Sequence, residues 1–247
     1  MAAPQIASVP WAARGPAWLT GAIYGALLNH RADIEALGAR MHGPPYLAPP
    51  QAPILYIKPR NTWCANGDAI PIPVPPILPA HGAGVQVGAT LAVIIGRPCV
   101  RIRAQEARRH VAAVTVINDL SLPHQEVFRP AIKERCRDAF CAVGPWVEAV
   151  VGLDPFKEHV LRTFINGELR AAWNTRDLVR SPAQLMADVS EFMTLHPGDV
   201  LMVGTPRDAP LAILGDRVAV EIDGIGRVEN TLVKESGAAR GAPGVSR

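Results

Sequence analysis

Aromatic residues are scarce at 5% of the 247-residue chain, and charged residues reach only 19%. The net charge of +3 is too small for the basic footprint of a protein whose main partner is nucleic acid. The basic cluster Arg101, Arg103, Arg108 and Arg109 reads as a solvated face. Long apolar runs are also missing. The longest, 85–96 (VQVGATLAVIIG), carries a Gln and a Thr and falls short of the ~20 residues a spanning helix needs, so no membrane partner is expected. The start, MAAPQIASVPWAARG, has neither the basic beginning nor the apolar middle of a secretory leader. The expected compartment is the cytoplasm. Cysteine is limited to Cys64, Cys99, Cys136 and Cys141, with no C-x-x-C pair, and the histidines form no H-x-H or H-x-x-x-H. A zinc ribbon, a thioredoxin-like site and a local histidine metal clip are thereby excluded. Reduced, mostly buried thiols remain.

What is present is an apolar fraction of 49% with 24 Pro and 21 Gly. Such a chain buries a real core and turns often, which favours short strands over a helical bundle. Residues 1–16 read as a flexible arm, 17–80 as a segment packing on the core, 81–234 as the core itself, and 235–247 as a disordered tail. Within these, 18–28 reads as a buried strand and 30–41 has helical spacing through Ile34, Leu37 and Met41. The run 70–79 (IPIPVPPILP) is too rich in proline for a central strand and reads as an extended edge. Further strands are expected at 54–57, 91–95, 112–117 and 200–203, with a short helix at 104–111. Asn166-Gly167 and Asp223-Gly224 are hairpin turns. Ser181-Pro182-Ala183-Gln184 opens a helix, with Ser181 as cap and Gln184 placed to reach back. The fold class is a β-rich α+β domain.

Three places set polar groups beside structure breakers. Lys58-Pro59-Arg60-Asn61-Thr62 puts two cations on a rigid turn, which suits a carboxylate ligand. Asn118-Asp119 ends the predicted strand 112–117 with a carboxylate. Gly204-Thr205-Pro206 offers a turn and a hydroxyl that can close over a ligand. Each also fits plain turn chemistry.

The stretches TLAVIIGRP (90–98), VINDLSLP (116–123), RCRDAFCAVGPW (135–146), FINGELR (164–170), SEFMTLHPGDVLMVGTP (190–206) and GDRVAVEIDGIGRVEN (215–230) together resemble the fumarylacetoacetate hydrolase family. They cover most of 85–233 in the family's order. NHRADIEAL (29–37) and YIKPRNT (56–62) narrow the resemblance to the isomerase/decarboxylases of homoprotocatechuate (4-hydroxyphenylacetate) degradation. The match is to the N-terminal half of those enzymes, or to the first subunit where the halves are separate chains. The resemblance implies a mixed β-roll with a few peripheral helices. It also implies a divalent metal, usually magnesium, chelating an oxo-acid. The reactions it implies are decarboxylation of 5-oxopent-3-ene-1,2,5-tricarboxylate and isomerisation of 2-hydroxyhepta-2,4-diene-1,7-dioate.

The sequence departs from the family at the chemistry. The family's metal-binding Glu-x-Glu falls on Gly88-Ala89-Thr90, leaving Asp119 as the one metal ligand that matches. The family lysine falls on Arg135, and its early His and Glu fall on Asp33 and Ala36. The resemblance therefore assigns catalysis to Asp119 and Arg135, and substrate binding to Lys58, Arg60, Asn118 and Thr205. Lys58, Arg60 and Arg135 are expected to converge into a cationic pocket. The expected partners are a small di- or tricarboxylate and a homologous second subunit or further copies of this chain. Two roles stay open: an enzyme subunit, or a catalytically silent partner of a metal-containing homologue.

Overall fold

The computed structural model describes residues 19–44, 47–73, 84–124, 131–148, 154 and 156–235, with backbone alone at 146–148. The predicted arm (1–16), most of the predicted tail (235–247) and most of the proline run (70–79) lie outside these residues. Thirteen strands are present among them: β1 (Ile23–Leu27), β2 (Ile54–Lys58), β3 (Trp63–Ala65), β4 (Ala69–Ile72), β5 (Val85–Ile95), β6 (Val111–Ser121), β7 (Cys141–Glu148), β8 (Val160–Ile165), β9 (Glu168–Asn174), β10 (Val200–Met202), β11 (Leu211–Ala212), β12 (Arg217–Ile222) and β13 (Gly226–Lys234). Three α-helices are short: α1 (Arg31–Leu37), α2 (Ile132–Arg135) and α3 (Pro182–Ser190). None is long and apolar enough to cross a membrane.

The first sheet runs β2-β1-β10-β5-β6-β7-β3, with β11 paired to the start of β5. Its two edges, β2 and β3, are joined by residues 59–62 alone. Six inter-strand steps would span roughly 28 Å in a flat sheet, whereas four residues reach only ~14 Å. The sheet must therefore curl until its edges nearly meet, and the result is a roll. The second sheet, β4-β13-β12-β8-β9, packs outside it. β1–β10, β3–β7 and β4–β13 are parallel pairs in otherwise antiparallel sheets. The mostly β, mixed roll is the architecture the sequence resemblance implied.

Alternation along β5 and β6 gives the roll two different faces. Val87, Leu91, Val93, Val114, Val116 and Leu120 enter the large core shared with the second sheet. Ala92, Ile94, Ala113 and Ile117 line a smaller core inside the roll, beside Ile23, Cys141 and Met202. Small and large side chains mix inside, Ala92, Ala113 and Cys141 beside Ile23, Ile94, Ile117 and Met202, as filling a small closed roll requires.

Local chemistry explains several elements. Asn166 adopts φ 53° and Gly167 φ 84° between β8 and β9, the left-handed pair of a two-residue hairpin. The Ser181 hydroxyl accepts from the Gln184 N–H at 3.2 Å and Pro182 opens α3. Gln184 does not reach back; its amide donates to Asp188 at 2.6 Å. The helix predicted at 104–111 is a 3-10 turn over Ala104–His110. β5 begins at Val85 rather than 91, and β6 continues to Ser121, so Asn118 and Asp119 lie inside a strand and not at its end. Pro71 sits on the outermost strand of the second sheet, where its missing N–H costs no ladder bond.

Candidate functional site

Tyr56 and Lys58 are two residues apart on β2 and so share a face. Asp119 comes from β6, directly opposite Gly88 of β5. Arg135 is the last residue of α2. The curl of the roll brings all four together. Lys58 Nζ lies 2.7 Å from Asp119 Oδ1, and both side chains are wholly buried. The ammonium donates to the carbonyls of Arg135 (2.8 Å), Leu120 (2.9 Å) and Phe140 (2.9 Å). A lysine has three N–H groups, so these carbonyls occupy all of them and the contact to Oδ1 is an ion pair. Among the described residues Oδ1 thus accepts no hydrogen bond of its own. Arg135 Nη1 reaches Asp119 Oδ2 at 3.2 Å, and the Tyr56 hydroxyl donates to the same oxygen. The Arg135 guanidinium lies over the Tyr56 ring, 4.6 Å from its centroid. Gly25 makes room for that ring, because a Cβ there would overlap it.

Burial pushes the Asp119 carboxyl up, but Lys58 and Arg135 pull harder and hold it below the usual aspartate range. Burial, then the Asp119 charge, drives the Tyr56 hydroxyl well above its ordinary value. The Asp119 wall is therefore a carboxylate kept charged between two cations and a neutral phenol.

Asp119 and Arg135 border a cavity of about 390 Å³, also lined by Asp33 of α1, Gln86, Ser121, His124, Thr205, Arg207 and Asp208. That volume suits a small organic acid. Thr205 follows Gly204, whose φ of 102° disfavours a side chain and where a Cβ would lie 2.5 Å from the Ala26 carbonyl oxygen. Gln86 braces the rim: its amide donates to the Arg207 carbonyl at 2.8 Å and its oxygen accepts from Ser121 at 3.0 Å. The Arg207 side chain makes no ion pair among the described residues.

Of the residues singled out from sequence, Lys58, Asp119 and Arg135 meet, and Thr205 lines the same cavity. Arg60 does not join them. It is exposed, with its guanidinium 5.7 Å from the Trp63 ring centroid. Asn118 alternates to the opposite face of β6, is fully buried, and among the described residues has no partner for either amide atom. It does not line the cavity. The lining is not cationic throughout either, since Asp33, Asp119 and Asp208 accompany Arg135 and Arg207. Sequence reading missed Asp33, Gln86, Ser121, His124 and Arg207 as lining residues. Arg207 had a signal, two residues beyond Thr205 in the same turn. Asp33 had only the family resemblance, which sets the family's early His at its position; locally it is one polar residue in an amphipathic helix.

The residues present do not fit a divalent metal. Both oxygens of Asp119 are engaged by cations or a phenol. A Cβ at Gly88 would lie 2.7 Å from the Asp119 carbonyl oxygen and 2.7 Å from Thr205 Cγ2. Thr90 is buried with its hydroxyl 3.2 Å from the Leu91 carbonyl. Among the described residues no three His, Cys, Asp or Glu gather as a metal set. Hard cations require more oxygen ligands than one shared carboxylate supplies.

Comparison with known proteins places this geometry. The pattern described as "Fumarylacetoacetate (FAA) hydrolase C-terminal" matches residues 22–233. The 4-hydroxyphenylacetate degradation bifunctional isomerase/decarboxylase of Escherichia coli is 39% identical over 217 residues, 88% of this chain. The chain spans about half of that relative, 48% of its length. The 5-carboxymethyl-2-hydroxymuconate delta-isomerase of Mycobacterium smegmatis superposes with TM-score 0.68 at 30% identity, over 88% of this chain and 80% of the other. The maleylpyruvate hydrolase of Sphingobium sp. SYK-6, solved with manganese(II) and pyruvate, superposes with TM-score 0.68 at 26% identity, over 87% and 71%.

Proposed function

Because this chain belongs to the fumarylacetoacetate hydrolase family, we propose that it is one unit of a catabolic isomerase/decarboxylase. Its ligands are 2-hydroxyhepta-2,4-diene-1,7-dioate and 5-oxopent-3-ene-1,2,5-tricarboxylate, and its partner is a homologous second unit or a further copy of this chain. The observation that carries this reading is the Asp119 clasp in the wall of a cavity sized for a small acid.

Both reactions pass through an enol or enolate next to a carboxylate, and fixed positive charge lowers the energy of that state. Arg135 is suited to supply it. The guanidinium is permanently charged and spends one N–H on Asp119, while its Nε has no partner among the described residues. It can bind a carboxylate or enolate oxygen through a charge-assisted hydrogen bond. Arg207 faces the same space and suits the second carboxylate. Lys58 has no donor left for substrate; its role is to hold Asp119 and the end of α2 in place. Asp119 in turn fixes Arg135. Thr205 contributes a hydroxyl at the rim.

A second reading has its own support. The side-chain-free Gly88 and the occupied oxygens of Asp119 favour a silent partner for any step that needs a metal. One experiment separates the two. The purified chain is titrated with 2-hydroxyhepta-2,4-diene-1,7-dioate by calorimetry, and loss of diene absorbance is followed with and without a chelator. The expected result is binding plus isomerisation that the chelator leaves unchanged, with decarboxylation of the tricarboxylate appearing only when a homologue carrying all three carboxylates is added. Binding without turnover selects the silent-partner reading, and absence of binding contradicts both.

A further inference from the structure

Asp33 is the second carboxyl of the cavity, and its surroundings are unlike those of Asp119. It sits on the first turn of α1 with 6% of its surface exposed. Oδ1 accepts the Arg207 backbone N–H at 3.0 Å. Oδ2 is buried and, among the described residues, has no hydrogen-bond partner, although Asp33 lines the cavity. No ion pair reaches it among the described residues. An unpaired buried carboxylate is costly, and the cheapest relief is a proton. Burial raises this carboxyl above the usual aspartate range. The Arg207 N–H, His30 of the same helix and the Arg207 charge oppose this with smaller effects, and Asp208 adds to it. A carboxyl held by one oxygen, with the other unpartnered among the described residues at the cavity wall, is placed to take up and return a proton, as acid or base catalysis requires.

We propose that Asp33 is the catalytic residue that moves the carbon-bound proton in this cavity. The proposal rests on the reading that the cavity handles enols of 2-oxo diacids. As carboxylate, Asp33 Oδ2 takes a proton from the carbon next to the 2-oxo group. The C–H electron pair becomes the enolate double bond, and the negative charge on oxygen falls to a cation such as Arg135. In reverse, the protonated carboxyl returns its proton to carbon, the double-bond pair forms the new C–H bond, and the carbonyl is restored. No oxidant, reductant or metal enters the balance. Oδ1 stays fixed on Arg207 throughout, so the free oxygen keeps its aim. Asp119, the other buried carboxyl of the lining, lacks this freedom, since Oδ1 is ion-paired with Lys58 and Oδ2 is held by Arg135 and Tyr56.

The test uses the saturated seven-carbon 2-oxo diacid, 2-oxoheptanedioate, with two readouts: calorimetric binding, and proton NMR of deuterium uptake at C3 in heavy water. Asp33→Asn keeps the shape and the Arg207 contact. It should bind the diacid within about threefold of the parent but lose roughly a hundredfold in exchange rate. Asp33→Glu, which retains a carboxyl, should recover part of the exchange. Exchange in Asp33→Asn within threefold of the parent overturns the assignment to Asp33 and leaves the enol reading of the cavity standing. A parent protein that binds the diacid without accelerating exchange, or does not bind it, overturns that reading and the assignment with it.

Discussion

Two aspartates border one cavity and are treated in opposite ways. Asp119 sits on a central strand with Lys58 on one oxygen and Arg135 and the Tyr56 hydroxyl on the other, so the cations hold it charged against the effect of burial. Asp33 sits on a seven-residue helix with one oxygen on a backbone N–H and the other, among the described residues, without a partner, so burial leans it toward the acid. Depth does not set the charge of a carboxylate; the neighbours do. The paired wall is architecture that also presents Arg135. The unpaired wall is where a proton can come and go.

The sharpest break of this contrast is Lys58→Met. It strands the Asp119 carboxylate and three carbonyls in a dry interior, and should cost about 3–5 kcal/mol in denaturant unfolding. Asp119→Asn should cost less, about 2–3 kcal/mol, because the ammonium keeps its three carbonyls. Gly88→Ala drives a methyl into the Asp119 carbonyl and Thr205 and should cost about 1–3 kcal/mol. For the same reason, the carboxylate pair that the family resemblance sets at 88 and 90 cannot simply be restored. Gly88→Glu combined with Thr90→Glu should lose stability without gaining magnesium affinity in calorimetry. The smallest stability effect belongs to Asp33→Asn, which should leave stability at pH 7 unchanged or raise it.

The two aspartates also predict opposite pH dependence. Asp119 has a lowered folded-state value. It contributes stability above the unfolded aspartate pKa, and that contribution fades as pH falls through its folded value. Asp33 has a raised value. Its contribution is complete below the unfolded pKa and is lost as pH rises through its folded value. Urea unfolding between pH 3 and pH 8 should show Asp119→Asn flattening the acid limb and Asp33→Asn flattening the decline toward neutral pH.

Much of the fold was legible because short-range chemistry decides it. Asn166-Gly167 can be little but a hairpin, and Ser181-Pro182 little but a helix start. The roll was reachable only through the family's motif order, since no local signal says that β2 and β3 close a curled sheet. Strand ends were misread where Gly88, Thr90, Asn118 and Asp119 interrupted the apolar pattern. The polar group that looked like a terminus is tolerated mid-strand because Lys58, from a distant strand, neutralises it. Arg60 is only two residues from Lys58, yet the intervening turn sends it to solvent. Asn118 is next to Asp119, yet strand alternation sends it to the other core. The predicted stripe Ile34, Leu37 and Met41 was nearly right, but the structure buries Asp33 and leaves Ile34 half-buried, because the loop through Arg207 supplies the N–H that a buried aspartate needs.

The direct test of the contrast is a carbon-13 NMR titration of the side-chain carboxyls, assigned through Asp33→Asn and Asp119→Asn. Asp33 should titrate above the usual aspartate range and Asp119 below it in the same protein. The reverse order, or two ordinary aspartates, would contradict the assignment of a charge-holding wall and a proton-moving wall to this cavity.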